Sequence, residues 1–261
     1  MQDILIAVPS FAYPTVIAQI KPYLHSKSRL ICATKGLEPE TGQLLHVVTA
    51  QILERSYPFA VLAGPSFAQE VAAGKPTAIT LATEDDEFAT TFSARLTNPY
   101  FRVYTTHDVI GVEICGAVKN ILAIVAGVVY GLDLGMNALS AMMTRGLAEM
   151  QRLGIAAGGK SSTFMGMAGV GDLILTCTGS LSRNRRFGIG VAEGKSPQQM
   201  IEEIGQVVEG LDNLNGVSHL AEHYAVEMPI TDQMNQVIYH GLPVEAAIRN
   251  LLSRELKTEG G

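Results

Sequence analysis

The sequence predicts an α/β domain with a largely parallel sheet, followed by an all-α domain, and three observations support this. In the first hundred residues, short apolar or β-branched runs alternate with amphipathic stretches, which is typical of βα units. The run Ile4–Val8 is continuously apolar, as expected of a strand buried on both faces. Beyond the segment Thr106–Ile110 only helical spacing remains. We therefore expect two domains, residues 1–107 and residues 108–261.

The predicted elements of the first domain alternate between strand and helix. The strands are Ile4–Val8, Leu30–Ala33, Ala60–Ala63, Ala78–Leu81 and Phe101–Tyr104. The helices between them are Thr15–Leu24, Leu44–Arg55, Phe67–Ala73 and Asp85–Leu96. The helices predicted for the second domain are Val109–Leu132, Asn137–Leu153, Arg183–Glu193, Pro197–Ile204, Leu211–Tyr224, Thr231–Tyr239 and Val244–Leu252. Pairs such as Ser196-Pro197 mark helix starts, because serine caps a helix and proline suits its first position.

The composition argues against several classes of protein. The formal net charge is −6, so no basic field would attract nucleic acid or an anionic membrane. Cys32, Cys115 and Cys177 lie far apart without a CxxC spacing, which predicts buried thiols in a reducing compartment. The six histidines also lack ligand spacing, so we expect no metal site.

The first residues and the most apolar run both indicate a cytoplasmic protein. The start, MQDILIAVPS, enters a strand-like run at once and lacks the basic region of a signal peptide. The most apolar run, Ile121–Leu132, has about twelve residues, well short of the roughly 20 that a membrane span needs. We expect this run to be a core helix and expect no membrane span.

Two predicted strands end in segments that can contact a ligand. Lys35 follows the strand Leu30–Ala33, and in doubly wound sheets ligands bind at the carboxyl ends of strands. Such a lysine can reach a phosphate or a substrate oxygen, although a solvated turn residue would look the same. In the next such segment, AGPSFA, Gly64 permits close backbone approach and Ser66 offers a hydroxyl near a helix start. An ordinary turn with a helix cap is the alternative there.

Lys119 and Asn120 interrupt a strongly apolar predicted helix. A lysine in this setting either extends its ammonium group to solvent or is partly buried with partners. Partial burial disfavours the ammonium form and lowers the pKa of the lysine, which suits a general acid or base. Asn120 beside it can hydrogen-bond a substrate. We favour a functional role for this pair over a purely structural one.

The block GMAGVGDLILTCT places three glycines before a predicted helix that carries Asp172 and Thr176. These two residues are four positions apart and therefore share one face of the helix. The glycines superficially resemble a dinucleotide-binding loop, but no predicted strand precedes them and they lie in the helical half. We favour a site where the backbone closely approaches a small polar substrate.

The segment SRNRRFG carries three arginines in four residues after Ser182, a predicted helix cap. Arginine binds phosphate in a bidentate manner, and a helix N-terminus adds N–H donors. Because the net charge is negative, we favour a compact site for a small phosphate over nucleic-acid binding. Glu209, in QVVEG, can hydrogen-bond a ribose hydroxyl or simply start a helix.

Taken together, these blocks resemble the NAD(P)-dependent glycerol-3-phosphate dehydrogenase family in its soluble bacterial form. The resemblance covers nearly the whole chain, in the family's order, and rests on IAVPS, TKGLE, AGPSFA, GAVKNILAI, GMAGVGDLILTCT, SRNRRFG, VVEG and EMPIT. It implies a Rossmann-type sheet, here partial, and a helical substrate domain. It also implies interconversion of sn-glycerol 3-phosphate and dihydroxyacetone phosphate with NAD or NADP, supplying phospholipid synthesis, in a cytoplasmic homodimer.

The resemblance also implies roles for individual residues. Lys119 would transfer the proton, and Lys35 would contact both the substrate and the nicotinamide cofactor. The other residues implied at the substrate site are Gly64, Ser66, Asp172, Ser182, Arg183 and Asn184, and our interpretation of the residues adds Asn120 and Thr176. The further cofactor contacts implied are Ala68, Arg183, Val207 and Glu209.

One departure from the family concerns the nucleotide-binding segment. Family members begin with a βαβ unit and a Gly-rich phosphate loop, and here IAVPS starts at Ile6. Two units of about 30 residues would correspond to roughly 60–80 residues ahead of this strand. No GxGxxG follows a predicted strand. We therefore expect this chain by itself to bind NAD(P) poorly and to turn over slowly.

Two alternatives stay open on sequence grounds. Another dehydrogenase with a helical second domain, acting on a hydroxy acid or a sugar phosphate, would also use a Lys-Asn pair. A non-catalytic protein that binds a phosphorylated metabolite would retain the anion-binding residues without the nucleotide loop. Activity on glycerol 3-phosphate compared with 6-phosphogluconate separates the first alternative from the glycerol phosphate assignment.

Overall fold

The computed structural model describes residues 3–255 and contains a five-stranded sheet. The strands lie side by side in chain order and are β1 (Asp3–Ile6), β2 (Arg29–Cys32), β3 (Phe59–Ala63), β4 (Thr77–Ala82) and β5 (Phe101–Thr106). All five predicted strands are confirmed, with small differences at their ends.

Most neighbouring strands run parallel, as the sequence predicts. β1 pairs with β2, β2 with β3, and β4 with β5 in parallel, whereas β4 is antiparallel to β3. In the register, Ile6 lies opposite Cys32 and Cys32 lies opposite Val61. The carboxyl ends of β1, β2 and β3 therefore meet at one edge of the sheet, which is where ligands bind in sheets of this kind.

Helices fill both halves of the chain. Those of the sheet domain are α1 (Tyr13–Ile20), α2 (Leu45–Leu53), α3 (Ala68–Ala72) and α4 (Asp86–Leu96). Those that follow are α5 (Val109–Gly131), α6 (Gly135–Ala156), α7 (Ser161–Phe164), α8 (Asp172–Thr178), α9 (Arg183–Ala192), α10 (Pro197–Ile204), α11 (Glu209–His223), α12 (Pro229–His240) and α13 (Val244–Leu252). The α/β domain followed by an all-α domain is confirmed. The exact division at residues 107 and 108 stays a prediction, and residues 1–2 and 256–261 lie outside the described part.

Helix α5 is the centre of the helical domain. It has 23 residues, and nearly all are buried, including the polar residues Glu113, Lys119 and Asn120. It packs against α6, α8, α9 and α11. At the crossing with α9 the two backbones touch, since a Cβ on Gly188 would lie 1.9 Å from the carbonyl oxygen of Ile124. This close approach holds the middle of α9 against α5.

Helix α5 also explains the apolar run found in the sequence. Among residues 3–255, α5 is long and apolar enough to cross a membrane by length and composition, with a mean hydropathy of 1.9. The segments Ser161–Thr178 and Arg183–Ala192, which meet at an angle of 48°, would be long and apolar enough only if they were counted together as one span. Helix α5 is longer than the run Ile121–Leu132 indicates, yet 94% of its most apolar stretch of 18 residues is buried inside the protein. The prediction of a core helix is therefore confirmed.

The segment between α6 and α9 is more elaborate than the sequence predicts. The predicted helix with Asp172 and Thr176 is present as α8, but the short helix α7 and a π-helix, Met167–Gly171, precede it. The π-helix depends on Gly169, because a Cβ there would lie 2.1 Å from the carbonyl oxygen of Phe164. The structure confirms that no strand leads into these glycines.

Candidate active site

The candidate active site begins where β2 and β3 end. Lys35 follows β2, and its Nζ donates a hydrogen bond of 3.1 Å to the carbonyl oxygen of Gly64, which follows β3. Gly64 has a φ of 138°, and a Cβ there would lie 2.9 Å from Cα of Ile79, so only glycine fits. The Ser66 hydroxyl donates to the same carbonyl oxygen at 3.0 Å. The two strand ends predicted from sequence are thus brought together.

A buried ion cluster joins these strand ends to the helical domain. Lys35 Nζ and Lys119 Nζ each lie 2.8 Å from the same oxygen, Oδ2 of Asp172. The hydroxyl of Thr176 accepts a hydrogen bond of 3.0 Å from Lys119 Nζ and donates one of 2.6 Å to the Asp172 carbonyl oxygen. Lys35 comes from the sheet domain, whereas Lys119 comes from α5 and the other two residues from α8. The four side chains form one site between the domains.

Burial determines the charge states in this cluster. The side chains of Asp172 and Lys119 are 1% and 6% exposed, whereas that of Lys35 is 24% exposed. Burial lowers the pKa of Lys119 to about 8; the Asp172 carboxylate opposes this effect and the Lys35 ammonium group adds to it. Burial alone would raise the pKa of Asp172, but Lys119 and Lys35 outweigh it and hold the pKa below its usual value. The site therefore holds a permanent carboxylate and an amine that can exchange a proton near neutral pH.

Two buried amides lie beside the ion cluster. Asn120 Nδ2 donates to the carbonyl oxygens of Gly116, at 3.1 Å, and Lys35, at 3.4 Å. Asn184 Nδ2 donates to Asn120 Oδ1 at 3.0 Å, and Asn184 Oδ1 accepts from the Gly210 N–H at 2.9 Å. These bonds tie α5, α9 and α11 to the segment that carries Lys35. Both predicted substrate-site asparagines are therefore next to the cluster, with their amides already hydrogen-bonded to protein.

Arg183 and Arg185 do not converge, as the compact three-arginine site expected from sequence would require. Arg183 lies at the start of α9, where its Nη1 is 3.5 Å from Oε1 of Gln206. The guanidinium group of Arg185 instead lies 4.2 Å from the ring centroid of Tyr130. Successive helical residues project in different directions, so arginines two positions apart cannot bind one phosphate together from the same face. Ser182 caps α9 as predicted, with its hydroxyl accepting from the Arg185 N–H.

The remaining predicted residues lie at or just before the starts of α3 and α11. Glu209, the first residue of α11, accepts a hydrogen bond of 3.4 Å from the hydroxyl of Ser10, which follows β1. Burial raises the pKa of Glu209, and Arg183 opposes that effect. Ala68 begins α3 directly after the Gly64 segment, and Val207 lies two residues before α11. The roles assigned to all these residues stay predictions.

Sequence reasoning missed Ser10 and Asn213 in this region. Both are fully buried, and Ser10 contacts Glu209 directly. Asn213 accepts a hydrogen bond from the Leu37 N–H, two residues after Lys35. The spacing of four residues between Glu209 and Asn213 was an available signal, because it places both on one face of a helix.

The fold and this cluster together define a class of protein. A mainly parallel sheet is followed by a helical domain, and a buried lysine–aspartate cluster lies at the carboxyl ends of the strands. This is the arrangement of a two-domain, nicotinamide-dependent dehydrogenase, in which the helical domain supplies the groups that act on the substrate.

Comparison with known proteins assigns the family. Residues 1–89 match the N-terminal model of NAD-dependent glycerol-3-phosphate dehydrogenase, and residues 108–249 match its C-terminal model. The glycerol-3-phosphate dehydrogenase [NAD(P)+] of Shewanella halifaxensis is 52% identical over 98% of this chain and 76% of its own length. That of Mannheimia succiniciproducens is 50% identical over 99% of this chain and 77% of its own length.

A solved structure agrees with these matches. The crystal structure of glycerol-3-phosphate dehydrogenase from Coxiella burnetii has a TM-score of 0.94 at 48% identity, covering 97% of this chain and 78% of that one. The chain therefore belongs to the NAD-dependent glycerol-3-phosphate dehydrogenase family and is an oxidoreductase that uses NAD or NADP. The matches do not favour the alternatives, a dehydrogenase for another phosphorylated substrate or a non-catalytic binding protein.

Proposed function

We propose that Lys119 is the acid–base catalyst in the interconversion of sn-glycerol 3-phosphate and dihydroxyacetone phosphate. The observation that carries this proposal is the contact of Lys119 with both Asp172 and Thr176 in a buried cleft. Its pKa of about 8 lets the amine bind and release a proton near neutral pH. The 50% identical relatives bear the name of this activity.

In the oxidation direction, neutral Lys119 accepts the proton of the substrate's secondary hydroxyl. The O–H bond breaks as the carbonyl group forms, and bound NAD(P) would supply the acceptor for the hydride that leaves the same carbon. Thr176 accepts a hydrogen bond from Lys119 Nζ and thereby orients the amine of Lys119 toward the substrate. In the reduction direction, the Lys119 ammonium group returns the proton to the carbonyl oxygen. Asp172 stays ionised throughout and stabilises that ammonium group.

The charges around the cleft suit a phosphorylated substrate. Lys35 and Lys119 place two ammonium groups against the single carboxylate of Asp172, so one positive charge is not balanced within the cluster when both are protonated. Arg183 stands at the start of α9, where the helix dipole adds to its attraction for an anion. We assign the phosphate group to Arg183 and the helix start, and the carbon–oxygen centre to Lys119.

We assign the nicotinamide cofactor to the edge where β1, β2 and β3 end, because ligands bind at the carboxyl ends of parallel strands. Lys35 is partly exposed there and can contact both the substrate and the cofactor. The carboxylate of Glu209, with Ser10 at its side, offers an acceptor to a ribose hydroxyl at the end of β1. Ala68, Arg183 and Val207 complete the proposed contacts. NAD and NADP both remain compatible with this set of residues.

The decisive experiment replaces the proposed catalyst. Lys119→Met keeps an unbranched apolar stem, one atom shorter, and removes the amine, and Lys27→Met at an exposed lysine is the matched control. We expect Lys119→Met to lower the rate of dihydroxyacetone phosphate reduction with NADH or NADPH by about 10²–10⁴-fold. Calorimetric binding of glycerol 3-phosphate tests the substrate site independently of turnover. If Lys119→Met and Lys27→Met both retain the activity of the parent protein, Lys119 is not the catalyst.

The family assignment carries three further proposals about the whole protein. We infer a homodimer, a cytoplasmic location and a supply of glycerol phosphate for phospholipid synthesis. Sedimentation velocity tests the dimer, and fractionation of cells that produce the protein tests its location. Growth of a strain lacking its own enzyme, with and without added glycerol 3-phosphate, tests the metabolic role.

A further inference from the structure

One face of α11 packs against the ends of β1 and β2. Glu209, Asn213 and Gly216 are spaced four and three residues apart, so they share this face. Glu209 accepts a hydrogen bond from Ser10 after β1. Gly216 lies against the segment after β2, since a Cβ there would be 3.2 Å from Cβ of Leu37. The helical domain thus covers the backbone that carries Lys35.

Asn213 lies at the centre of this face and is fully buried. Its Oδ1 accepts a hydrogen bond of 3.4 Å from the Leu37 N–H, and its Nδ2 donates one of 3.3 Å to the Ala117 carbonyl oxygen of α5. Leu37 is two residues after Lys35, and Ala117 is two residues before Lys119. A single amide therefore connects the backbones next to the two lysines of the ion cluster.

Gly36, between Lys35 and Leu37, is closely packed against Asn213 and Ser10. A Cβ on Gly36 would lie 2.6 Å from Oδ1 of Asn213 and 2.9 Å from Cβ of Ser10. Both distances are below those that real Cβ atoms adopt, so a methyl group there would displace either the segment or the side chains of Asn213 and Ser10. Close packing therefore holds the backbone at Gly36, and the hydrogen bond to Asn213 holds it at Leu37.

We propose that Asn213 is a positioning residue for Lys35: it holds the backbone of residues 35–37 against α5, and thereby keeps the Lys35 ammonium group on Oδ2 of Asp172. The proposal rests on the role of Lys119 given above. Asn213 touches neither Lys35 Nζ nor Lys119 Nζ and acts through the backbone alone. Without its amide, the segment loses its connection to Ala117, and the Lys35 ammonium group moves away from the cluster.

This role has a signature that general destabilisation does not produce. The titratable groups that interact with Lys119 are Asp172 and Cys177 of α8, Lys35, and Cys115 of α5 itself, and burial raises the pKa of both thiols so that they stay neutral. Lys35 is therefore the one cation in this set. If the Lys35 ammonium group moves away, it no longer repels the Lys119 ammonium group, and the Asp172 carboxylate interacts with Lys119 only. Both changes raise the pKa of Lys119.

The test compares Asn213→Ala with Asn215→Ala, an exposed asparagine on the same helix. The ¹³C NMR titration of the Lys119 ε-methylene group reads the pKa directly in the full chain, and the pH profile of glycerol 3-phosphate oxidation reads it through activity. We expect Asn213→Ala to move both midpoints up by about 0.5–1 pH unit and to lower kcat/KM about tenfold. Asn215→Ala should match the parent protein in both measurements.

Gly36→Ala provides an independent approach if Asn213→Ala folds poorly. The added methyl group displaces either the segment or the Asn213 amide that holds it, so it should move the Lys119 midpoint in the same direction. The double variant Gly36→Ala/Asn213→Ala should show less than the sum of the two effects, because shortening Asn213 makes room for the methyl group. An unchanged Lys119 midpoint in folded Asn213→Ala or Gly36→Ala overturns the proposal. If Lys119→Met keeps its activity, the proposed function fails instead, whereas the NMR result still decides where Lys35 lies.

Discussion

Lys35 and Lys119 share a single oxygen atom, Oδ2 of Asp172, which lies 2.8 Å from each ammonium nitrogen. One lysine follows a strand of the sheet domain and the other lies in the buried central helix of the helical domain. Two cations on one carboxylate oxygen keep that carboxylate ionised, and the Lys35 ammonium group lowers the affinity of Lys119 for a proton. The relationship therefore couples the arrangement of the two domains to the chemistry of the site.

The first prediction concerns the pH dependence of the reaction. Because the pKa of Lys119 is about 8, kcat/KM for glycerol 3-phosphate oxidation should rise with pH and level off above that value. In the opposite direction the ammonium form is the proton donor, so kcat/KM for dihydroxyacetone phosphate reduction should fall as pH rises through the same value. Initial rates measured between pH 6 and 10, an interval of roughly two units on either side, test both limbs. Limbs of the same sign in the two directions would contradict a single acid–base group.

The second prediction separates two neighbouring arginines. Arg183→Leu removes the cation assigned to the substrate phosphate and should raise KM for dihydroxyacetone phosphate by about 10- to 100-fold, since a charge-assisted hydrogen bond is lost. Arg185→Leu should leave KM unchanged, because that guanidinium group lies over Tyr130. Its expected cost is a loss of about 0.5–1 kcal/mol in the free energy of unfolding, measured with urea. Equal increases of KM in both variants would show that Arg185 also binds the substrate.

The third prediction concerns the π-helix that leads into α8. Gly169→Ala places a methyl group 2.1 Å from the Phe164 carbonyl oxygen, so the π-helix must rearrange and Asp172 must move. We expect a loss of about 1–3 kcal/mol in the free energy of unfolding together with a lower kcat. Gly171→Ala is the matched control in the same segment, because its nearest neighbour would lie at an ordinary 3.6 Å. Similar behaviour of the two variants would mean that the π-helix does not determine the position of Asp172.

The fourth prediction concerns Glu149, a buried carboxylate outside the active site. It lies in α6 and accepts hydrogen bonds from the Ile230 and Thr231 N–H groups at the start of α12. Burial raises the pKa of Glu149 to about 7 despite these bonds. The folded protein therefore binds more protons than the unfolded chain between the ordinary glutamate pKa and about 7. Stability from this group is complete at low pH and is lost as pH rises through that interval, with a slope of at most about 1.4 kcal/mol per pH unit.

Glu149→Gln removes this titration and should flatten the stability profile. Urea unfolding at four pH values between about 5 and 8 should show a smaller decline for Glu149→Gln than for the parent protein. The exposed Glu245→Gln should retain the parent slope. A parent slope that persists in Glu149→Gln would assign the pH dependence to another group.

Local sequence patterns were sufficient for most of the fold. The five strands followed from short apolar and β-branched runs, and the capping box at Ser196 and Gln199 confirms a helix start that the sequence marked. The apolar neighbours of Lys119 left two outcomes open, extension to solvent or partial burial, and the structure shows that Lys119 is buried. The π-helix was not predictable, because it depends on how closely Gly169 approaches Phe164 across a turn.

The sequence by itself determined which residues carry polar chemistry and which elements hold them, because these depend on periodicity and on neighbours within a few positions. Only the tertiary structure decided which of those residues meet. Lys35 and Asp172 are 137 positions apart, and their contact exists because α8 packs on α5, which passes next to Lys35 at Gly116. Tertiary packing likewise directs Arg183 and Arg185 to different partners and brings Asn213 within hydrogen-bonding distance of Leu37. Contacts of this kind depend on the directions of whole helices, and no local pattern encodes those directions.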